Sequence, residues 1–205
     1  VVLAYLEDNE IPFSSIAPRH PEGRIGVRMD ETTAVVELIG HLVAQGHRRI
    51  GHIKGPRAHG ACQWRLAGYR QALRDAGIEY DPALVASGQF SFESGIEAAN
   101  TLLDLPEPPT AIFAANDDMP AAVFRVAGQR GLRVPRDLSV CGFDDTPIAG
   151  HIYPALTTVR QPTDTMGRLA TEQLIERIRS PKAGRMVTVD HAVLVRESTH
   201  APRRR

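Results

Sequence analysis

The sequence lacks most of the features that mark a specialised chain. It has two cysteines in 205 residues, Cys62 and Cys141, too few and too far apart for a disulfide framework or a zinc site. Both are expected to be buried thiols in a reducing compartment. Charge is balanced, 24 basic against 24 acidic residues, so nothing draws the chain as a whole to nucleic acid or to an anionic membrane. The one basic run, Arg203-Arg204-Arg205, reads as a solvated tail. There is no run of 18 apolar residues, which excludes a helical membrane span. Val1 to Tyr5 are apolar, but Glu7, Asp8 and Glu10 follow at once, which is not the pattern of a secretory leader. A G-x-S-x-G elbow, a glycine-rich phosphate loop and paired metal ligands are also missing, so no enzyme, cofactor or metal site is expected.

What is present is a regular alternation of strand and helix, with 42% hydrophobic residues, enough for a substantial core. Val2 to Leu6 suggest the end of a helix, Ile11 to Ile16 a short strand, and Val27 to Met29 another. Asp30 can cap a helix to Gln45, with Val35, Leu38, Ile39 and Leu42 on one face and Gly46 as its stop. Strands are predicted at 50–53, 84–86, 110–115 and 138–143, and helices at 62–76, 91–103 and 117–130. Such alternation argues for βαβ units and a parallel sheet covered on both faces. The end breaks the rhythm: an extended piece at 157–160, a helix at 164–179, then 186–189 and 192–195 read as a hairpin.

Open parallel sheets bind ligands beyond the carboxyl ends of their strands. After Ile53 comes His59, after Ala86 comes Phe90, after Ala115 comes Asn116, and after Val140 comes Asp144. A histidine, an aromatic ring, an amide and a carboxylate would converge on one crevice. The set suits a polyhydroxylated or heterocyclic small molecule, since a carboxylate accepts from hydroxyls, an amide donates and accepts, and a ring stacks. Arg65, a turn into the next helix, can add a bidentate donor or can pair with an acid. Each residue also has a plainer reading. Asp117 fits a helix cap, Asp145 a turn or cap, His59 a solvated loop and Phe90 the core. His47 and His52, beside the same strand, read as structural. Asn116-Asp117 with Asp144-Asp145 lacks the further ligands a metal would need.

Several segments resemble the lactose-repressor family of transcriptional regulators. They are Gly46-His47-Arg48-Arg49-Ile50, Arg65-Leu66-Ala67-Gly68-Tyr69, Phe90 to Gly95, Pro109 to Asp117, Gly131 to Pro135, Gly142-Phe143-Asp144-Asp145, Leu156 to Pro162, and Val195 to Thr199. They run in family order over essentially the whole chain. The resemblance implies an α/β fold of two lobes, similar to periplasmic sugar-binding proteins, each a parallel sheet flanked by helices. A ligand would lie between lobes joined by three crossing strands. On this likeness residues 1–54 and 157–180 form an N-terminal lobe, and 55–156 with 181–205 a C-terminal lobe. The family's effector contacts fall on His59, Arg65, Phe90, Asn116 and Asp144, with Trp64 and Gln161 as further candidates. His59 stands where the purine repressor of the family has arginine, and Ala61 lacks a hydroxyl offered there.

Two family parts have no counterpart: the DNA-binding head with its hinge helix, and the first strands of the N-terminal lobe. The chain begins without Met, so it is expected to be part of a longer protein. The implied function is the effector-sensing and dimerisation region of a cytoplasmic regulator, reaching operator DNA only through the missing head. Solute-binding proteins of sugar transporters share the fold and are the alternative. The identity of the effector is not legible in the sequence.

Overall fold

Apolar runs bounded by glycine and proline become the strands of a computed structural model that describes residues 2–18, 20, 24–180 and 182–203. Val1 and the terminal Arg204 and Arg205 lie outside them. In chain order the elements are α1 (Val2–Asp8), β1 (Ser15–Ile16), β2 (Gly26–Met29), α2 (Glu31–Ala44), β3 (Ile50–Lys54), α3 (Gly60–Asp75), a 3-10 turn at Pro82–Leu84, β4 (Val85–Ser87), α4 (Phe92–Leu103), β5 (Ala111–Ala114) and α5 (Asp118–Gln129). There follow β6 (Ser139–Cys141), α6 (Pro147–His151), β7 (Thr158–Arg160), α7 (Thr163–Arg179), β8 (Met186–Val189) and β9 (Ala192–Leu194). Gly46, Gly77 and Gly131 follow α2, α3 and α5 at positive φ, the backbone conformation that ends a helix and that glycine adopts without strain.

The chain divides into two compact units. The smaller holds Val1–Asp30 and Gln161–His191, the larger Glu31–Arg160 and Ala192–Arg205. The expected divisions after Lys54 and before Thr157 therefore sit elsewhere. The helix α2 and strand β3 belong to the larger unit, because β3 lies between β4 and β5 in one sheet and α2 packs on α3.

The smaller unit is a three-stranded parallel sheet in the order β1-β2-β8. The helix α7 packs on β2, burying Met166 and Ala170 against Val27, with Leu169, Val187 and Val189 alongside. The expected hairpin at 186–195 does not form. β8 pairs with β2 in parallel, Val187 opposite Val27, whereas β9 pairs antiparallel with β7 in the other unit. Pairing with β2 brings Val187 and Val189 onto apolar neighbours, which a two-stranded hairpin by itself would leave wet. The strand expected from Ile11 is reduced to Ser15–Ile16; Pro12 has no N–H to give a ladder.

The larger unit is a parallel sheet in the order β4-β3-β5-β6. The pair α2 and α3 packs together, as does the pair α4 and α5. All four residues of β5 are buried, as expected of a central strand covered on both faces. The main core joins Ile53, Leu102, Ile112, Met119, Val123, Leu138 and Val140. Each such side chain contributes about 1.5–3 kcal/mol on burial. Beyond β6 the backbone runs beside β7: the Gly142 N–H donates to Thr157 O at 2.9 Å and the Asp144 N–H to Val159 O at 2.8 Å. Chain order in this sheet reverses between β3 and β5, because β3 connects outward to β4 and β5 connects outward to β6. A crevice opens at such a switch point.

Candidate functional site

The carboxyl ends of β3 to β6 bring together four of the sequence-derived candidates with Arg65. His59 ends the loop after β3 and precedes α3, exposed, its side chain making no cap bond. Its ring meets Phe90 edge-on, centroids 5.4 Å apart and planes at 89°. Phe90 packs over Gly55, where an added Cβ would overlap both the ring and the sulfur of Cys62. Gly55 is thus the residue that lets the ring close over the loop after β3. Phe90 is also held at φ +61, Asp144 at +114 and Asp145 at +57. Three side chains forced into the region that glycine prefers, all at one end of one sheet, are the kind of strain that collects at binding sites.

Asn116 is 6% exposed. Its Nδ2 donates to Phe90 O at 3.0 Å, and its Oδ1 accepts the Met119 N–H at 3.2 Å. The amide therefore ties the end of β5 to the loop after β4 and caps α5. Asp117, which the sequence suggests as that cap, does not make one. It is buried, its Oδ1 accepts from Thr158 Oγ1 at 2.7 Å, and its Oδ2 from the Thr146 N–H at 2.8 Å and Thr146 Oγ1 at 3.3 Å. It locks α6 and β7 onto β5. Burial pushes its carboxyl up to about 6, against the pull of those hydrogen bonds.

Arg65 is the centre of the arrangement and is 4% exposed. Nε donates to Glu31 Oε2 at 2.9 Å, Nη1 donates to the Ala115 carbonyl, and Nη2 lies 3.3 Å from Asp144 Oδ1. Its Cζ stands 3.8 Å from the centre of the Phe143 ring. Arg65 pairs with two acids, Glu31 and Asp144, one of the two roles its sequence position allows. Asp145 faces other partners, Arg160 Nε and Arg196 Nη2, each at 2.6 Å. Burial alone would raise its carboxyl, but the two guanidinium groups outweigh it and hold it below the usual range.

Trp64 is exposed on α3, and its carbonyl accepts from Thr32 Oγ1 at 3.3 Å. Gln161 belongs to the smaller unit, where its carbonyl accepts the Thr163 N–H. Glu31 and Phe143 were not among the sequence candidates. Glu31 reads as the first residue of a helix and Phe143 as the end of a strand, and neither carries a local signal of the partner 34 or 78 positions away in the chain. His52 is structural: it is stacked between Tyr69 and Phe113 with Nδ1 on the Phe113 carbonyl at 3.1 Å. Both cysteines are free and buried. Among the described residues no group of three His, Cys, Asp or Glu is placed to hold a metal, and no helix is long and apolar enough to cross a membrane.

The chain as a whole has known counterparts. The family model for periplasmic binding protein-like domains matches residues 39–199. The HTH-type transcriptional repressor CytR of Escherichia coli (strain K12) is 42% identical over 176 residues, 85% of this chain and 52% of that protein. The solved transcriptional regulator CelR-cellobiose complex has a TM-score of 0.89 at 38% identity, covering 94% of this chain and 60% of that one. A LacI family transcriptional regulator from Mycobacterium smegmatis has a TM-score of 0.88 at 33% identity, covering 98% and 74%. The chain spans about half the length of the curated relatives it matches. It belongs to the periplasmic binding protein-like domain family and, within it, to the effector-binding regions of the LacI family of transcriptional regulators.

Proposed function

We propose that this chain is the effector-sensing part of a DNA-binding transcriptional regulator, a repressor, and that it takes a small polar metabolite, a sugar or a related molecule, at the carboxyl ends of β3 to β6. The observation that carries the reading is the convergence of Asp144, Phe90, His59, Asn116 and Arg65 at the switch point of a sheet whose relatives are regulators. Asp144 accepts ligand hydroxyls, and Phe90 with His59 offers rings to an apolar sugar face. Arg65 and Asn116 shape these groups from behind. The protein works as a homodimer in the cytoplasm, meets operator DNA through a separate head, and turns over no substrate. Relatives that are regulators rank this reading above a transporter's solute-binding protein. The effector acts on DNA affinity only through its different affinities for the DNA-competent and DNA-released states.

The test is calorimetric titration against sugars, sugar acids, nucleosides and purines, followed by Asp144→Ala. Loss of binding by a variant that still unfolds in one cooperative transition is expected. Unchanged affinity in the variant would remove Asp144 from the site.

A further inference from the structure

A buried guanidinium is an anion receptor only if its N–H fork has directions left to give. Those of Arg65 are largely spent inside the protein. Glu31 takes Nε at 2.9 Å, the Ala115 carbonyl takes Nη1, Asp144 sits 3.3 Å from Nη2, and Phe143 covers the group at 3.8 Å. Glu31 is itself 5% exposed, so its charge is poorly screened and acts on Arg65 at close range. Two carboxylates against one guanidinium leave this trio with a net negative charge. A ligand phosphate or carboxylate arriving at Asp144 meets that excess and a guanidinium each of whose three nitrogens already faces a protein acceptor. A ligand hydroxyl meets a carboxylate, a group that accepts from hydroxyls.

We propose that Glu31 is a specificity-determining residue. By pairing with Arg65 it withdraws the guanidinium from anion recognition and makes the strand-end site selective for neutral polyhydroxylated ligands over their carboxylated or phosphorylated counterparts. The inference rests on the sensor reading above and adds the charge class of the ligand. It also bears on Lys54, the half-buried cation that ends β3: a phosphorylated ligand anchored there would bind the wild-type chain.

The experiment compares neutral and anionic members of matched pairs by calorimetry: ribose and ribose 5-phosphate, glucose and glucuronate, uridine and uridine 5′-monophosphate. The wild-type chain is expected to bind the neutral member of a pair at least about tenfold tighter, and Glu31→Gln to raise affinity for the anionic member by about tenfold, the scale of one charge contact in a partly desolvated site. Glu31→Asp keeps the charge and is expected to keep the preference, which separates loss of charge from loss of fold. Wild-type binding of the anionic member as tightly as the neutral one overturns the inference and leaves the sensor reading standing. A folded Glu31→Gln variant with unchanged preference overturns the role of Glu31. Binding of no compound in the wider panel of sugars, sugar acids, nucleosides and purines defeats the sensor reading and the inference with it; binding indifferent to Asp144→Ala removes Asp144 from the site and overturns the inference.

Discussion

Arg65 on α3 lies with its guanidinium carbon 3.8 Å from the centre of the Phe143 ring, two residues beyond β6. This contact joins the first crossover of the larger unit to the last strand of its sheet, one residue before Asp144. Phe143 is fully buried, so Phe143→Ala is expected to cost about 3–5 kcal/mol in chemical denaturation, from lost transfer energy and the cavity left behind. Phe143→Leu keeps most of the volume and is expected to cost less, yet to weaken effector binding, because Arg65 loses the ring that fixes its plane. Equal affinity in the Leu variant and the wild type would show that the plane of Arg65 is set by Glu31 and Ala115 alone.

Two buried groups act in opposite directions between pH 4 and pH 6.5. Burial lowers His52 to about 4, so the unfolded chain takes up a proton near 6.5 that the folded one refuses, and stability falls as pH drops through that window. Burial raises Asp117 to about 6, so the folded chain holds a proton the unfolded one releases, and stability rises as pH drops from about 6 to about 4. Each effect is at most about 3–4 kcal/mol, on the scale of 1.4 kcal/mol for each pH unit of separation. His52→Phe is therefore expected to flatten the acid limb of a stability–pH curve, and Asp117→Asn to steepen it. Parallel curves for wild type and both variants would contradict the two assignments.

Asp145 holds Arg160 and Arg196 at 2.6 Å each from a left-handed backbone position. Asparagine tolerates that φ, so Asp145→Asn isolates the charge. Arg160 is over half exposed, which discounts its share. The expected loss is about 1–3 kcal/mol, read as a shift in denaturant midpoint at constant slope.

Gly55→Ala puts a methyl group into the Phe90 ring and the Cys62 sulfur. Overpacking of this kind costs about 1–3 kcal/mol. The ring can escape only by opening away from the loop after β3, so effector affinity is expected to fall in calorimetry even where added stabilising salt restores the melting temperature. A variant that binds as wild type would place the ligand clear of Phe90.

Much of this was legible from residue order. Ser91 as a helix start, Gly46, Gly77 and Gly131 as stops, and the apolar run at Ala111 to Ala115 carry their conformations locally, so the strands and long helices of the larger unit could be placed within a residue or two, while the short helix α6 was missed. The strand ends could then be read as a site, since every parallel strand presents its next residues at the same edge. The partners were not legible. Glu31 and Arg65 are 34 positions apart, and only the packing of α2 on α3 sets one against the other. Nor does a sequence display positive φ at Phe90, Asp144 or Asp145, which is imposed by the surrounding fold. The tail of the pattern misled for the opposite reason. Met186 to Leu194 has the local look of a hairpin, but the available long-range partners, β2 and β7, bury more than the two strands could bury on each other.

The pairing of β7 with β9 sets Arg160 directly opposite Ala192 in an antiparallel register. The two places where the larger unit is interrupted are thus neighbours across one ladder. A two-residue Asn-Gly turn is the natural closure of such a pair. A gene that runs from Glu31 to Arg160, adds Asn-Gly, and resumes at Ala192 would encode the whole four-stranded sheet, its flanking helices, and every residue of the Glu31–Arg65–Asp144 chain as one continuous polypeptide. The fold thereby contains an excisable unit, in which the strand ends of one sheet can be titrated by themselves.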